Sequence, residues 1–233
     1  VADRPIIFSA PMIRALLAGR KTQTRRLAKV QIYDHVNPRF SQLRAHREGG
    51  GWRIYGSEPA SDPFKVPYAV GDRLYVREAW APLDALTHSD PGAQALADRG
   101  FYRADGSTVD GEISRWRPSI HMPRRASRLT LLVTDVRVER LQDISEGDAA
   151  AEGVELESAD PPFHYVPGIW PHSITAVGVE EPGGRHAARS FAKLWGHING
   201  PESWLVNPWV VVVGFSVHAR NIDQLEPIAE AAE

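Results

Sequence analysis

Leu17-Ala18-Gly19-Arg20-Lys21-Thr22-Gln23-Thr24-Arg25-Arg26 closes one element, opens the next and gathers an amine, two hydroxyls and an arginine pair within a single short stretch. Upstream of it, Met12, Ile13, Leu16 and Leu17 recur at helical spacing. Ser9 stands at the N-cap, and Pro11 falls in the first turn, where its missing N–H costs nothing. Gly19 supplies the left-handed stop. A helix of roughly three turns therefore delivers Lys21 at its C-terminal exit. That end carries partial negative charge, which suits Arg20 and Lys21. The apolar run Pro5 to Phe8 precedes the helix as a first strand.

Downstream, the pattern is lost from Leu27 to Pro67, where Gly49-Gly50-Gly51 and Pro59, Pro63 and Pro67 mark an irregular insertion. Order returns at the Val70-Gly71-Asp72 turn, followed by Arg73-Leu74-Tyr75-Val76-Arg77-Glu78-Ala79-Trp80. Leu74, Val76 and Trp80 share one face of this strand, and Tyr75 and Arg77 the other. Pro82 to Asp98 reads as a second insertion with room for a short helix. Phe101-Tyr102-Arg103 is a short strand closed by Asp105-Gly106, and Trp116 to Pro123 is proline-punctuated loop. Arg128 to Leu141 is the longest strand signal. Leu129, Leu131 and Val133 alternate, then Val136 and Val138 continue in the opposite phase, so a bulge or bend is predicted near Thr134-Asp135. Ser145-Glu146-Gly147-Asp148 resembles a capping box, with Ile144 and Ala149 placed as a hydrophobic staple. That helix runs to Glu152 and stops at Gly153. After a third Pro/Gly-rich insertion, Phe191, Leu194, Trp195 and Ile198 mark an amphipathic helix ended by Asn199-Gly200-Pro201. Trp209 to Phe215 is a buried final strand, and the polar tail beyond His218 is expected to fray.

The predicted architecture is α+β: a small, strongly bent mixed sheet or barrel with about three helices and long loop insertions. It forms one domain over residues 1–220, with insertions at about 28–66, 81–115 and 155–188 and a polar C-terminal tail at 221–233.

The 233 residues, 42% hydrophobic and 24% charged, have an ordinary soluble composition. A core is attainable at this size without staples. The absence of cysteine excludes disulfides, thiolate zinc sites and a cysteine nucleophile. Val1 to Pro5 lacks the apolar core of a signal peptide, and no apolar run approaches the ~20 residues of a membrane span. The expected setting is the cytoplasm, with no membrane partner. A formal charge of −2 argues against non-specific coating of DNA. The charge is nevertheless uneven, with Arg20, Lys21, Arg25, Arg26 and Lys29 near the start and Arg115, Arg117, Arg124, Arg125 and Arg128 in mid-chain.

Lys21 and Thr24 form the first constellation with chemistry in it. A threonine hydroxyl is a poor nucleophile until a base removes its proton. A lysine serves as that base only when burial or nearby cations disfavour its charge. The competing reading is a solvated basic turn. Glu152 lies near a helix C-terminus, where the dipole disfavours a carboxylate; an exposed surface glutamate is its bland alternative. Arg77 and Glu78 are adjacent on a strand, so one of them points inward, and an inward charge is either paired or functional. The arginines from 115 to 128, with Trp116 and His121, either bind phosphate and stack on bases or form a solvated loop. The histidines show no HxxxH or HxxE pairing, so no metal site is signalled, and no cofactor is expected. A P-loop, a GxGxxG after a strand and a GxSxG elbow are all absent.

Gly19 to Arg26 resembles the GxKxxExR signature of ASCH domains, which are PUA-like β-barrels associated with RNA. Gly19, Lys21 and Arg26 match it, while Thr24 replaces the signature glutamate. That departure is similar to the small ASCH proteins that act as N(4)-acetylcytidine amidohydrolases, whose motif reads L-A-G-R-K-T-x-T-x-R. Leu17 to Thr22, Thr24 and Arg26 fit that string, with Ile6 and Phe8 in place upstream. A later segment of that subgroup, L-T-E-x-x-A-E-x-E, aligns with Ile144 to Glu152. The Gly71-Asp72 turn matches the family's strand-initiating Gly-Asp. The resemblance covers roughly half the chain; the three insertions have no counterpart in the compact amidohydrolases, and overall the chain looks more like the larger ASCH proteins often carried by phages and prophages.

The resemblance implies a Lys/Thr/Glu catalytic set at Lys21, Thr24 and Glu152 and a modified cytosine nucleoside as substrate. Thr24 would attack the acyl carbonyl, Lys21 would take its proton, and Glu152 would orient Lys21 or pass the proton to the departing amine. Arg26 would hold the pyrimidine carbonyl or stabilise the oxyanion, Trp80 or Tyr75 would stack the base, and Arg77 and Glu78 would complete the substrate-binding set. The alternative it implies is an RNA-binding module, with or without ribonuclease activity. A third reading is an accessory protein that binds a nucleoside or a protein partner without chemistry. Binding through several phosphates weakens steeply with salt; hydrolysis of a neutral nucleoside does not.

Overall fold

The computed structural model describes residues 1–33, 43–82, 100–106, 113, 115–159, 162–165 and 186–225. In chain order its regular elements are β1 (Asp3–Ile7), α1 (Ala10–Leu17), β2 (Gln23–Leu27), β3 (Arg44–Glu48), β4 (Gly51–Tyr55), β5 (Arg73–Arg77), β6 (Trp80–Ala81) and β7 (Phe101–Tyr102). There follow β8 (Thr130–Arg140), α2 (Glu146–Ala151), β9 (Glu155–Ala159), β10 (Pro162–Tyr165), α3 (His186–Asn199) and β11 (Trp209–His218). The fold is α+β, mostly sheet, with three α-helices among the described residues. A five-stranded sheet has the order β1-β5-β8-β11-β2. β1 is parallel to β5, while β5 is antiparallel to β8 and β2 to β11. Among the described residues no pairing joins β1 to β2, so the order is open. No helix among them is long and apolar enough to cross a membrane. The second expected insertion, with its short helix, lies outside the described residues from 83 to 99.

The chain divides into two compact units interleaved in sequence. Val1–Lys21, Gly71–Val133 and Phe215–Glu233 form the first, and Thr22–Val70 with Thr134–Gly214 the second.

In the first unit, β1 and β5 pair in register from Asp3 with Arg73 to Ile7 with Arg77. The expected alternation holds within β5, with Leu74 and Val76 buried and Tyr75 and Arg77 half-buried, but the strand ends at Arg77 and the buried Trp80 belongs to β6, paired with Tyr102 of β7. In α1, Ile13, Ala15 and Leu16 are buried, whereas Leu17 is 45% exposed. The buried face of α1 therefore includes Ala15 and leaves out Leu17. Ser9 sits at the N-cap position without a side-chain hydrogen bond, so the proline in the first turn acts without a hydroxyl cap. At the helix end Gly19 takes φ +71°, and the Arg20 and Lys21 amides both donate to the Ala15 carbonyl, at 2.9 and 3.1 Å. The stretch after His218 is not frayed as far as Leu225. Asn221 Nδ2 donates to the Ser127 and Arg124 carbonyls at 2.7 and 2.9 Å, and Ile222 is fully buried. Those carbonyls, from a loop turn, would otherwise need another donor.

In the second unit, β2 lies along β11 with Thr24 opposite Val213 and Arg26 opposite Val211. Val210 to Val213 are buried, as a continuous apolar run predicts. The capping box at Ser145 and Asp148 is formed, and Ile144 and Ala149 are both fully buried. They join Phe191, Leu194 and Trp195 of α3 in one core cluster. Ile198, expected on that face, is 52% exposed, because the helix's last turn runs past the cluster. The stretch expected to be irregular contains a hairpin. β3 and β4 pair antiparallel from Arg44 with Tyr55 to Glu48 with Gly51. Gly49 and Gly50, at φ +53° and +80°, make the two-residue turn. Two left-handed residues match the twist of the flanking strands, so the glycines are turn chemistry rather than a sign of disorder. The phase slip in β8 is real: Leu129, Leu131 and Val133 are buried, Thr134 and Asp135 exposed, and Val138 buried again. A side chain at Gly214 of β11 would put its Cβ 3.3 Å from Asp135 Cβ, so the slip sits where two strands approach closely.

Candidate functional site

Lys21 is the last residue of the first unit and 0% exposed, with Nζ 5.7 Å from the centroid of the Phe8 ring. The second unit begins at Thr22 and continues into β2, where Gln23, Thr24 and Arg25 are all buried. Strand alternation puts Gln23 and Arg25 on one face and Thr24 and Arg26 on the other.

Two contacts tie β2 and its entry to the end of α2. The Thr22 amide donates to the Ala151 carbonyl at 2.9 Å. Arg25 Nη1 donates to Glu152 Oε1 at 3.2 Å. Glu152, at the C-cap of α2 and 5% exposed, is thereby attached to β2 at the residue next to Thr24. The anomaly of a carboxylate at a helix C-terminus has its explanation here: a guanidinium offsets the unfavourable dipole.

Arg25 has no exposed side chain and lies 5.6 Å above the centroid of Phe191. Its Nη2 meets Glu139 Oε1 at 2.7 Å and Asp148 Oδ2 at 3.5 Å. Arg137 engages the other oxygens, with Nε 3.0 Å from Glu139 Oε2 and Nη2 2.6 Å from Asp148 Oδ1. Its Nη2 also donates to Gln23 Oε1 at 3.3 Å. Burial pushes the Asp148 carboxyl up, but the Ser145 hydroxyl, Arg137 and the Arg25 charge outweigh it and hold it at about 2. Burial likewise pulls Arg137 down, and Glu139 and Asp148 hold it above the usual arginine value. Gln23 Nε2 and Arg25 Nε are buried donors without a hydrogen-bond partner among the described residues.

The other expected site residues belong to the first unit, and their partners named here do too. Tyr75 lies 5.7 Å beneath the Arg124 guanidinium, and Arg77 Nη2 donates to the Ile120 carbonyl. Glu78 points inward at 1% exposure, as one of that pair had to. Arg128 grips it with Nε and Nη2 at 2.9 and 3.1 Å. Arg128 in turn bonds Asp105 and stacks 4.0 Å from the Tyr102 centroid. Burial raises the Glu78 carboxyl more than Arg128 lowers it. Trp80 is buried with Met122 and Ala126, and Arg117 lies 5.8 Å over its ring.

Sequence reading did not single out Glu139, Arg137 or Gln23, and it named Arg25 only as a neighbouring cation. A signal was present in β8. Once the phase slips, Val136 and Val138 define one face, and Asp135, Arg137 and Glu139 fall together on the other. No family model, curated protein or solved structure matches this chain.

Proposed function

We propose that this chain is an amidohydrolase of ASCH type that removes the acyl group from N(4)-acylated cytosine nucleosides such as N(4)-acetylcytidine. On this reading its open sheet is a variant of the small PUA-like barrel. The observation that carries the proposal is the meeting of β2 and its entry with the C-terminal end of α2, through side chains 127 positions apart. Those are the two segments in which the ASCH resemblance puts a Thr and a Glu, joined here by Arg25, the neighbour of Thr24 on the opposite face of β2.

Thr24 Oγ adds to the acyl carbonyl carbon as Lys21 accepts its proton. The full burial of Lys21 is the environment such a base requires. Arg26 stabilises the oxyanion of the tetrahedral intermediate. Its collapse breaks the carbon–nitrogen bond, and Glu152 passes the proton to the departing exocyclic nitrogen. Water then cleaves the acyl-threonine ester and restores the hydroxyl.

The test is release of cytidine from N(4)-acetylcytidine by the wild type, Thr24→Ala, Lys21→Ala and Lys21→Arg. The alanine variants should each lose about a hundredfold or more of kcat while remaining folded. Lys21→Arg, which cannot give up its proton at neutral pH, should fare no better. Full turnover by Thr24→Ala would remove it as nucleophile.

One observation favours a second reading, RNA binding. Arg124 and Arg128 are engaged by Asp3, Asp223, Glu78 and Asp105, while Arg115, Arg117 and Arg125 are exposed on the same segment. A wild type without turnover would shift the reading to that surface.

A further inference from the structure

Four side chains of the second unit form a closed ring of alternating charge: Arg25, Glu139, Arg137 and Asp148. They come from β2, β8 and α2. Each carboxylate spans the two arginines, one oxygen to each, and the formal charges within the ring cancel. Arg25 is its buried member and rests on Phe191, whereas Arg137 is its outer member, with 36% of its side chain exposed. The Nη2 of Arg25 is held inside the ring by both carboxylates. Its Nη1 is the atom that donates to Glu152.

A buried ionic network is a weak source of stability, because desolvation of the charges offsets their attraction and apolar side chains do as well. What it supplies is orientation. A planar guanidinium held at one nitrogen by two carboxylates, with a phenyl ring against its face, has one direction left for its other nitrogen. That direction ends on a carboxylate at a helix C-terminus, which the helix dipole does not hold in place.

We propose that this ring is a positioning device for the Glu152 carboxylate, and that Arg25, Arg137 and Glu139 are positioning residues of the reaction. The inference rests on the amidohydrolase reading, in which Glu152 delivers a proton to the leaving nitrogen. Arg137 is the most informative member. Its described partners are Asp135, Glu139, Asp148 and Gln23, so it acts on Glu152 through Arg25.

The experiment measures kcat and KM on N(4)-acetylcytidine for the wild type, Arg137→Gln, Arg137→Lys and the isosteric Glu139→Gln, at a temperature where circular dichroism shows each folded. A displaced catalytic group costs on the order of a hundredfold per ångström. Arg137→Gln and Glu139→Gln should therefore lower kcat by about ten- to a hundredfold and leave KM within about twofold. Arg137→Lys, which keeps the charge and one of the two carboxylate contacts, should recover part of the loss. Glu139→Gln keeps the test open should Arg137→Gln fail to fold. Unchanged kcat in the folded variants, or a loss appearing only in KM or in melting temperature, would overturn the positioning role and leave the amidohydrolase reading standing. A wild type that does not turn over would instead overturn that reading, and this inference with it.

Discussion

Glu78 carries its carboxyl inside the first unit, and the sign of its titration follows from that. Burial raises its pKa above the ordinary 4.5, more than the Arg128 contacts lower it. A carboxyl that binds its proton more tightly when folded contributes most at low pH, and that contribution is lost as pH rises from 4.5 through the folded pKa. The difference in unfolding free energy between wild type and Glu78→Gln should accordingly fall as pH rises above 4.5. Urea titrations of both proteins at several pH values read it directly. A difference that grows with pH would mean that Arg128 outweighs burial. Asp148 has the opposite sense, since its pKa is held at about 2 by two arginines and a hydroxyl. Its contribution is present above 3.8 and disappears as pH falls toward 2. The two carboxyls differ because Asp148 is half-buried and shares two arginines, while Glu78 is almost fully buried against one.

At the scale of elements, α2 is a short helix with work at both ends. Its capping box closes the N-terminus, and its C-cap is Glu152. Glu146, in its first turn, also reaches another helix: its Oε2 and Oε1 accept from the Ala187 and Ala188 amides at 2.7 and 3.3 Å. Those are among the first N–H groups of α3, which have no partner within their own helix. A carboxylate there also meets the positive end of the α3 dipole. Glu146→Gln should cost about 0.5–2 kcal/mol, because an amide offers one accepting oxygen and no charge. Thermal denaturation should show the loss, and high salt should shrink it. An unchanged midpoint would mean that water replaces the cap. The hairpin of β3 and β4 makes a related point. Its turn glycines are the same residues that, read as composition, suggested irregularity; pairing partners, not glycine content, separate a tight turn from a loop.

At the scale of the whole molecule, neither unit is a continuous piece of chain. The first takes its last segment from Phe215 onward, after the second unit has been completed. That segment brings Asn221 to three backbone carbonyls and buries Ile222 completely. A chain ended after Arg220 should therefore lose about 3 kcal/mol or more, from the apolar burial of Ile222 and the orphaned carbonyls together. Urea denaturation of the full and shortened chains measures this. Equal midpoints would show that the 3-10 turn from Ile222 to Gln224 is decoration.

What the sequence by itself determined is local. Alternation predicted β5 and both phases of β8, a Ser-x-x-Asp spacing predicted the cap of α2, and an unbroken apolar run predicted a buried β11. Each of these depends on residues a few positions apart, where backbone geometry sets which side chains share a face. The motif at Lys21 to Arg26 was equally visible, together with the possibility that a distant glutamate serves it. Tertiary structure alone decided which arginine meets that glutamate. Arg25 and Arg26 are neighbours of like charge, and only the pairing of β2 with β11 turns the first toward α2. It also decided that Glu139 and Asp148 share two arginines, and that a polar tail holds a loop. Ion pairs and carbonyl anchors join positions far apart in sequence, 114 residues for Arg25 with Glu139 and 97 for Asn221 with Arg124. No periodicity in the sequence encodes such separations; they exist once the strands have paired.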